Sequence, residues 1–254
     1  MTKNLKHVSI SLLLLGMASS VFALNEKQIR TEIQKRLGTS ANVRNVTPSP
    51  IPGLFEVQVN NEIFYTDSNA KYLIQGEMVE LASGNNLTTK RQEDINRIKW
   101  SDLPQAQAFK VVRGNGSRQI AVFSDPNCGY CKRLEKTLQQ LDNVTIYNYL
   151  IPILSADSAL KSKQIWCAAD QQKIWNDWML NNLGPSGKSD CANPIDKNLT
   201  LAKNYGINGT PTIFFTDGSR FPGAGTPTIF FTDGSRFPGA VQLTDIEKKL
   251  ASLK

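Results

Sequence analysis

The sequence predicts a chain of mixed α+β and α/β class, a small β unit followed by a larger sheet flanked by helices. Two patterns carry that prediction. Over residues 24–84, short stretches of alternating apolar and polar residues are separated by turn pairs, as in an antiparallel meander. From Phe109 onward strands and helices succeed one another, as in an α/β sheet. A charged stretch, 85–104, lies between the two regions.

The first unit opens with Ile29, Ile33 and Leu37 at helical spacing over Glu26 to Leu37, and Gly38 ends that helix. The run Thr47-Pro48-Ser49-Pro50-Ile51-Pro52-Gly53 reads as a loop. Phe55, Val57 and Val59 then alternate with Glu56, Gln58 and Asn60. Asn60-Asn61 turns the chain into Ile63-Phe64-Tyr65, and Asp67-Ser68-Asn69 turns it again into Tyr72-Leu73-Ile74. Roughly 60 residues make a marginal core in isolation, so this unit is expected to need a partner surface. A second copy of the chain is the simplest source. From Asn85 to Leu103 the apolar stripe thins to Ile95 and Ile98 before Pro104, the pattern of a linker helix with a solvated face.

In the second region Phe109 to Val112 and Gln119 to Ser124 read as strands joined by the Asn115-Gly116 turn. A helix runs from about Cys128 to Leu141, and Val144 to Ile153 is the next strand. A long helix, Ser158 to Asn182, carries Ile165, Trp166, Ile174, Trp175 and Trp178 as a core-facing stripe. Another helix follows Asn193-Pro194 as far as Tyr205. Ile213-Phe214-Phe215 is a strand, and Thr244-Asp245-Ile246-Glu247 is a capping box opening the last helix.

Composition narrows the function classes. With 40% hydrophobic and 20% charged residues the chain is globular. Its net charge of +7 comes from Lys and Arg scattered in ones and twos, which is no nucleic-acid footprint. Residues 1–23 have the form of a secretory signal: Lys3, Lys6 and His7, then the apolar core Val8 to Met17, then Val21-Phe22-Ala23 as a small-residue cleavage site. That core is too short to span a bilayer, which needs roughly 20 residues. His7 is the sole histidine. Cleavage after Ala23 removes it, which excludes Ser-His and Cys-His catalysis and every His-ligated metal.

Export into an oxidising compartment, here a bacterial periplasm, makes disulfides the default state of Cys128, Cys131, Cys167 and Cys191. Four cysteines allow three pairings. The spacing C-x2-C-x35-C-x23-C lacks the second close pair of a zinc ribbon, so no metal and no other cofactor is expected.

Cys128-Gly129-Tyr130-Cys131 lies where a strand meets a helix. There the free N–H groups and the macrodipole favour an anion, which lowers the pKa of the first thiol from about 8.5. Lys132 and Arg133 add positive charge nearby. Cys131, one turn on and facing inward, is placed to resolve a mixed disulfide. Gly209-Thr210-Pro211-Thr212 precedes the strand Ile213-Phe214-Phe215, and backbone groups freed before that proline suit a substrate chain bound as an added strand.

A strand, C-x-x-C, a helix, and later Thr-Pro before a hairpin resemble a thioredoxin fold. An N-terminal β unit, a linker helix, Phe123-Ser124-Asp125 before the cysteine pair, and Ile165-Trp166-Cys167 later resemble, more narrowly, the DsbC family of bacterial periplasmic disulfide isomerases. The resemblance spans nearly the whole mature length. Tyr130 stands where thioredoxin itself has Pro and where the oxidase branch has Pro-His. The resemblance implies a cystatin-like dimerisation domain at 24–84, a linker helix at 85–104 and a thioredoxin-like catalytic domain at 105–254. It also implies a homodimer around a peptide-binding cleft, misoxidised exported proteins as substrates, and a membrane reductant of the DsbD type. Cys128 and Cys131 would be catalytic, with Gly129, Tyr130, Thr210 and Pro211 (or Thr226 and Pro227) contacting substrate. Cys167 and Cys191 match the family's structural disulfide, whose loop is worth about 3 kcal/mol in the chain-entropy model. A reductase or oxidase without isomerase activity, and a chaperone-like binding dimer with an impaired redox site, are the competing readings.

One feature departs from the family: residues 209–224 recur unchanged as 225–240. A single copy suffices for the last hairpin. Copy one fills it, or copy two does, or the first strand comes from copy one and the second from copy two with the surplus at the tip. The third arrangement preserves both junctions, and Pro211 is the expected partner of the cysteines in the first and the third.

Overall fold

The computed structural model describes residues 24–221 and 242–253. The leader reading for 1–23 and the second repeat copy, with Thr226 and Pro227, lie outside them. The chain divides into two compact units, Met1–Gly76 and Glu77–Lys254.

In the first unit α1 (Glu26–Leu37) starts at a reciprocal cap, in which the Asn25 side chain accepts from Gln28 N–H at 3.0 Å and the Gln28 side chain accepts from Asn25 N–H at 2.9 Å. It covers a four-stranded antiparallel sheet in the order β1 (Val43–Pro48), β2 (Leu54–Val59), β3 (Glu62–Asp67), β4 (Leu73–Ile74). Sequence pattern alone misses β1. A register shift between Val43 and Asn45 puts the buried residues Val43 and Val46 three apart instead of two, which disguises the strand. Ile29 and Ile33 pack on Val43, Val57 and Val59. At the β4 edge Tyr72, Leu73 and Ile74 remain exposed, and Tyr72 and Leu73 border a shallow groove that also includes Leu37 and Arg36.

The second unit begins earlier than residue 85. The β5 (Val79–Glu80) and β6 (Asn85–Asn86) hairpin belongs to it, because Met78 N–H donates to Thr88 Oγ1 at 2.8 Å and ties the hairpin to the next helix. That helix, α2 (Leu87–Ile95), is capped by Asn86 and is far shorter than the expected linker. Beyond α2 Ile98, and Trp100 at the start of a short 3-10 turn (Trp100–Asp102), pack on the sheet.

The main sheet comprises β7 (Phe109–Arg113), β8 (Arg118–Ser124) and, after α3 (Gly129–Leu138), β9 (Val144–Leu150). The helices α4 (Ala156–Trp166), α5 (Gln171–Asn181) and α6 (Ile195–Asn204) precede β10 (Thr212–Phe215) and β11 (Arg220–Phe221), and α7 (Leu243–Ala251) closes the chain. The strand order is β11-β10-β8-β9-β7, with β8 and β9 parallel and the other pairs antiparallel. The Asn115-Gly116 turn therefore joins strands that do not pair, since β9 lies between them. The parallel β8–β9 pair needs a crossover, and α3 supplies it. Along β8, Ile120 and Val122 face the core under α3, α5 and α7, while Ala121 and Phe123 face the core under α6.

Three sequence expectations change here. The long helix 158–182 is two helices, broken where Cys167 ends α4 and the Asp170 side chain caps α5 by accepting from Lys173 N–H at 2.9 Å. The last helix opens at Gln242, whose N–H donates to the Asp245 carboxylate at 3.2 Å, and not at Thr244. Both strands of the last hairpin come from copy one, Ile213 opposite Phe221 and Phe214 opposite Arg220, in place of the mixed arrangement. The turn is complete in itself: Phe215 N–H donates to Ser219 O at 3.0 Å and the Asp217 carboxylate accepts from Ser219 N–H at 3.0 Å. Gly218, at φ +80, is required there, because a Cβ would lie 1.9 Å from the Ile98 carbonyl oxygen.

Candidate active site

Cys128 is the N-cap of α3, with Gly129 the first helical residue. The turn before it is set by Asp125, which is fully buried. Its carbonyl accepts from Cys128 N–H at 3.0 Å, and its carboxylate accepts from Asn127 N–H at 2.8 Å and Leu154 N–H at 2.9 Å. The Cys128 Sγ accepts from Cys131 N–H at 3.3 Å and, as a thiol, donates to Thr210 O at 3.2 Å. Thr210 lies two residues before β10, and the Thr210–Pro211 peptide bond is cis. The first five residues expected at the site, Cys128 to Cys131 and Thr210, thus converge with Pro211 at one end of the sheet.

The two thiols are driven apart. Hydrogen bonds from the Cys131 thiol and Thr210, and from the N–H groups of Cys131 and Tyr130, outweigh burial and bring Cys128 down to about 6. Burial pushes Cys131 well up, and the neighbouring Cys128 adds to the effect. Lys132 and Arg133, expected to add positive charge nearby, are both held against aromatic rings. The Lys132 ammonium lies 3.6 Å from the Trp178 ring centroid and donates to Asn182 Oδ1 at 2.7 Å, while the Arg133 guanidinium lies 5.3 Å from the Tyr130 ring. Tyr130 is 45% exposed between the two cysteines.

Cys167 and Cys191 form a disulfide with Cα atoms 5.8 Å apart, which ties the elbow between α4 and α5 to the segment before α6. Several structural participants carry no motif in the sequence. Glu135 is buried one turn beyond Cys131, accepting from Trp175 Nε1 at 3.0 Å and Gln139 Nε2 at 3.2 Å. Asn127 donates to Asp157 Oδ2 at 2.7 Å and to Ser158 Oγ at 3.1 Å. Only the helical spacing of Cys131 and Glu135 offered a signal for Glu135, and Asn127 offered none.

A low-pKa thiol at a helix N-cap, a shielded second thiol and a facing Thr-Pro before a strand define a thioredoxin-like thiol–disulfide exchange domain. Residues 105–225 match the model of a thioredoxin-like domain, and residues 20–89 match that of the disulfide bond isomerase protein N-terminal domain. The chain belongs to the DsbC family. It is 44% identical over 172 residues to the probable thiol:disulfide interchange protein DsbC of Bordetella pertussis, covering 68% of this chain and 61% of that protein's length. It is 29% identical over 226 residues to the thiol:disulfide interchange protein DsbC of Pasteurella multocida, covering 86% of this chain and 94% of that one. Among solved structures, a disulfide interchange protein from Neisseria gonorrhoeae aligns at 35% identity and TM-score 0.47 over 59% of this chain and 97% of its own.

Proposed function

We propose that this chain is a periplasmic thiol–disulfide isomerase acting through Cys128 on misoxidised exported proteins. The observation that carries the reading is the N-cap position of Cys128, whose sulfur receives Cys131 N–H while its pKa falls to about 6. At neutral pH the nucleophile is therefore the thiolate.

The thiolate attacks one sulfur of a wrong substrate disulfide. A Cys128–substrate disulfide forms, the substrate S–S bond breaks, and the other substrate sulfur leaves as a thiolate. When a substrate thiolate attacks the Cys128–substrate bond, a new substrate disulfide forms, Cys128 returns as thiolate, and no electrons change hands overall. When Cys131 attacks instead, the substrate departs with two electrons more and Cys128–Cys131 is left oxidised, so an external dithiol of the DsbD type must restore it. Gly129, Tyr130, Thr210 and Pro211 line the approach to Cys128, and Cys167–Cys191 is structural.

The exposed Tyr72, Leu73 and Ile74 edge fits burial by a second copy through the first unit. Reactivation of scrambled ribonuclease by the reduced protein tests the activity, with Cys128→Ser inactive. Oxidation of reduced ribonuclease without reshuffling would assign an oxidase in its place. Light scattering of Leu73→Lys/Ile74→Lys tests the dimer, which is expected to dissociate.

A further inference from the structure

The α4–α5 pair closes on the active-site loop from one side. At its open end Asp157 and Ser158 of α4 accept from Asn127 Nδ2 at 2.7 and 3.1 Å. From α5 the half-buried Trp178 reaches both flanks of the cysteine motif. Its Nε1 donates to Pro126 O at 2.6 Å, two residues before Cys128, and its ring carries the ammonium of Lys132, one residue after Cys131, at 3.6 Å. Lys161, paired with Asp157, lies 4.7 Å from the same ring. One indole thus ties the backbone before the nucleophile to the side chain after the resolving thiol.

From this geometry we propose that Trp178 is a positioning residue for disulfide exchange, holding the Pro126–Asn127 segment so that Cys128 stays at the helix N-cap under the Cys131 N–H. The inference rests on the exchange reading above and deepens it. The physical reason is preorganisation. The thiolate is stabilised by donors fixed in place before ionisation, and a loop free to move loses that geometry first. Among the described residues, the indole N–H is the side-chain group that donates to Pro126 O, and the ring also faces two cations, Lys132 and Lys161, beside their polar partners Asn182 and Asp157.

The groups facing Cys128 in any titration are Cys131 from α3 and Thr210 from the β10 end, with Lys132 and Lys161 held on Trp178. The test compares the full-length protein with Trp178→Phe and with Trp166→Phe. Trp166 also loses an indole hydrogen bond, to Ala192 O at 3.3 Å, in the segment between α5 and α6 and not on the active-site loop. The readouts are the pH profile of Cys128 alkylation and the glutathione equilibrium of the Cys128–Cys131 pair, each taken where circular dichroism shows a folded protein. Trp178→Phe is expected to raise the titration midpoint, cutting the alkylation rate at pH 6 by about threefold or more, and to shift the glutathione equilibrium toward the disulfide. Trp166→Phe is expected to leave both at the parental values. An unchanged profile in Trp178→Phe, or an equal shift in Trp166→Phe, overturns the proposal. If Trp178→Phe does not fold, Trp178→Tyr, which keeps a ring under the ammoniums, is read by the same criteria. A parent that forms no mixed disulfide through Cys128 overturns the exchange reading itself, a different result from a parent that exchanges normally beside an unaltered variant.

Discussion

The backbone N–H of Cys131 points at the Sγ of Cys128 from 3.3 Å, so the residue proposed to resolve the mixed disulfide also stabilises the Cys128 thiolate. Ionisation of the first thiol is thereby coupled to the order of the first turn of α3.

That coupling sets a pH dependence. The native Cys128 titrates at about 6 and an unfolded thiol at about 8.5, so the native state is favoured by ionisation. The contribution is fully present above the unfolded value and is lost as pH falls through about 6. Cys131 is raised, so it acts only at and above the pH where an unfolded thiol ionises, and there in the opposite sense. The reduced protein is expected to gain stability from pH 6 to pH 8, and Cys128→Ser to lose that gain. Urea melts of both at the two pH values check it, and a parental slope in Cys128→Ser would contradict the assignment.

Glu135 predicts a second pH effect of opposite sign. Burial lifts its carboxyl above the usual range, against the pull of Trp175 Nε1 and the Arg113 guanidinium. A raised native carboxyl costs stability as pH climbs from about 4.3 toward the native value, beyond which the cost is constant. Glu135→Gln keeps an acceptor for the indole and cannot ionise. Relative to the parent it is expected to gain stability between pH 4 and pH 8. Denaturant midpoints showing no such relative gain would refute it.

Cys167 and Cys191 close a loop of sequence separation 24. Replacing both by Ala is expected to cost about 3 kcal/mol in equilibrium unfolding while leaving the Cys128 titration midpoint within experimental scatter. A loss below about 1 kcal/mol would mean that the α4–α5 elbow is held by packing alone.

The repeat makes a deletion informative. Copy one supplies Thr210, Pro211 and both strands of the last hairpin. Removing residues 225–240 therefore leaves every described contact of the site in place. Shortening the connection to α7 is expected to stabilise the protein by on the order of 1.5 kcal/mol, from loop closure. Retained isomerase activity with an equal or higher urea midpoint is the expected result. A lower midpoint would show that the second copy packs on the fold.

The cysteine motif at a strand-to-helix junction and the Thr-Pro before a strand were legible because each needs a local chemistry that few residues supply. Helix α1 was legible to the residue, since Ile29, Ile33 and Gly38 mark its face and end. What stayed hidden depends on tertiary partners. The shifted register of β1 breaks the period of two, and the charges of Lys132 and Arg133 say nothing of the rings that capture them. The pairing of β9 between β7 and β8 is likewise a property of the assembled sheet, where the short Asn115-Gly116 connection alone suggests a hairpin.

The five-stranded sheet ends in strands that make poor zippers. β11 offers two residues, one of them Arg220, and β7 bears Lys110 and Arg113. Short, cationic borders discourage an incoming strand from extending the ladder. For a protein proposed to meet unfolded chains at close range, that restraint separates capture from coaggregation. On the proposed exchange reading, a client is held through one sulfur bond that chemistry can undo, and not along a seam that would only lengthen.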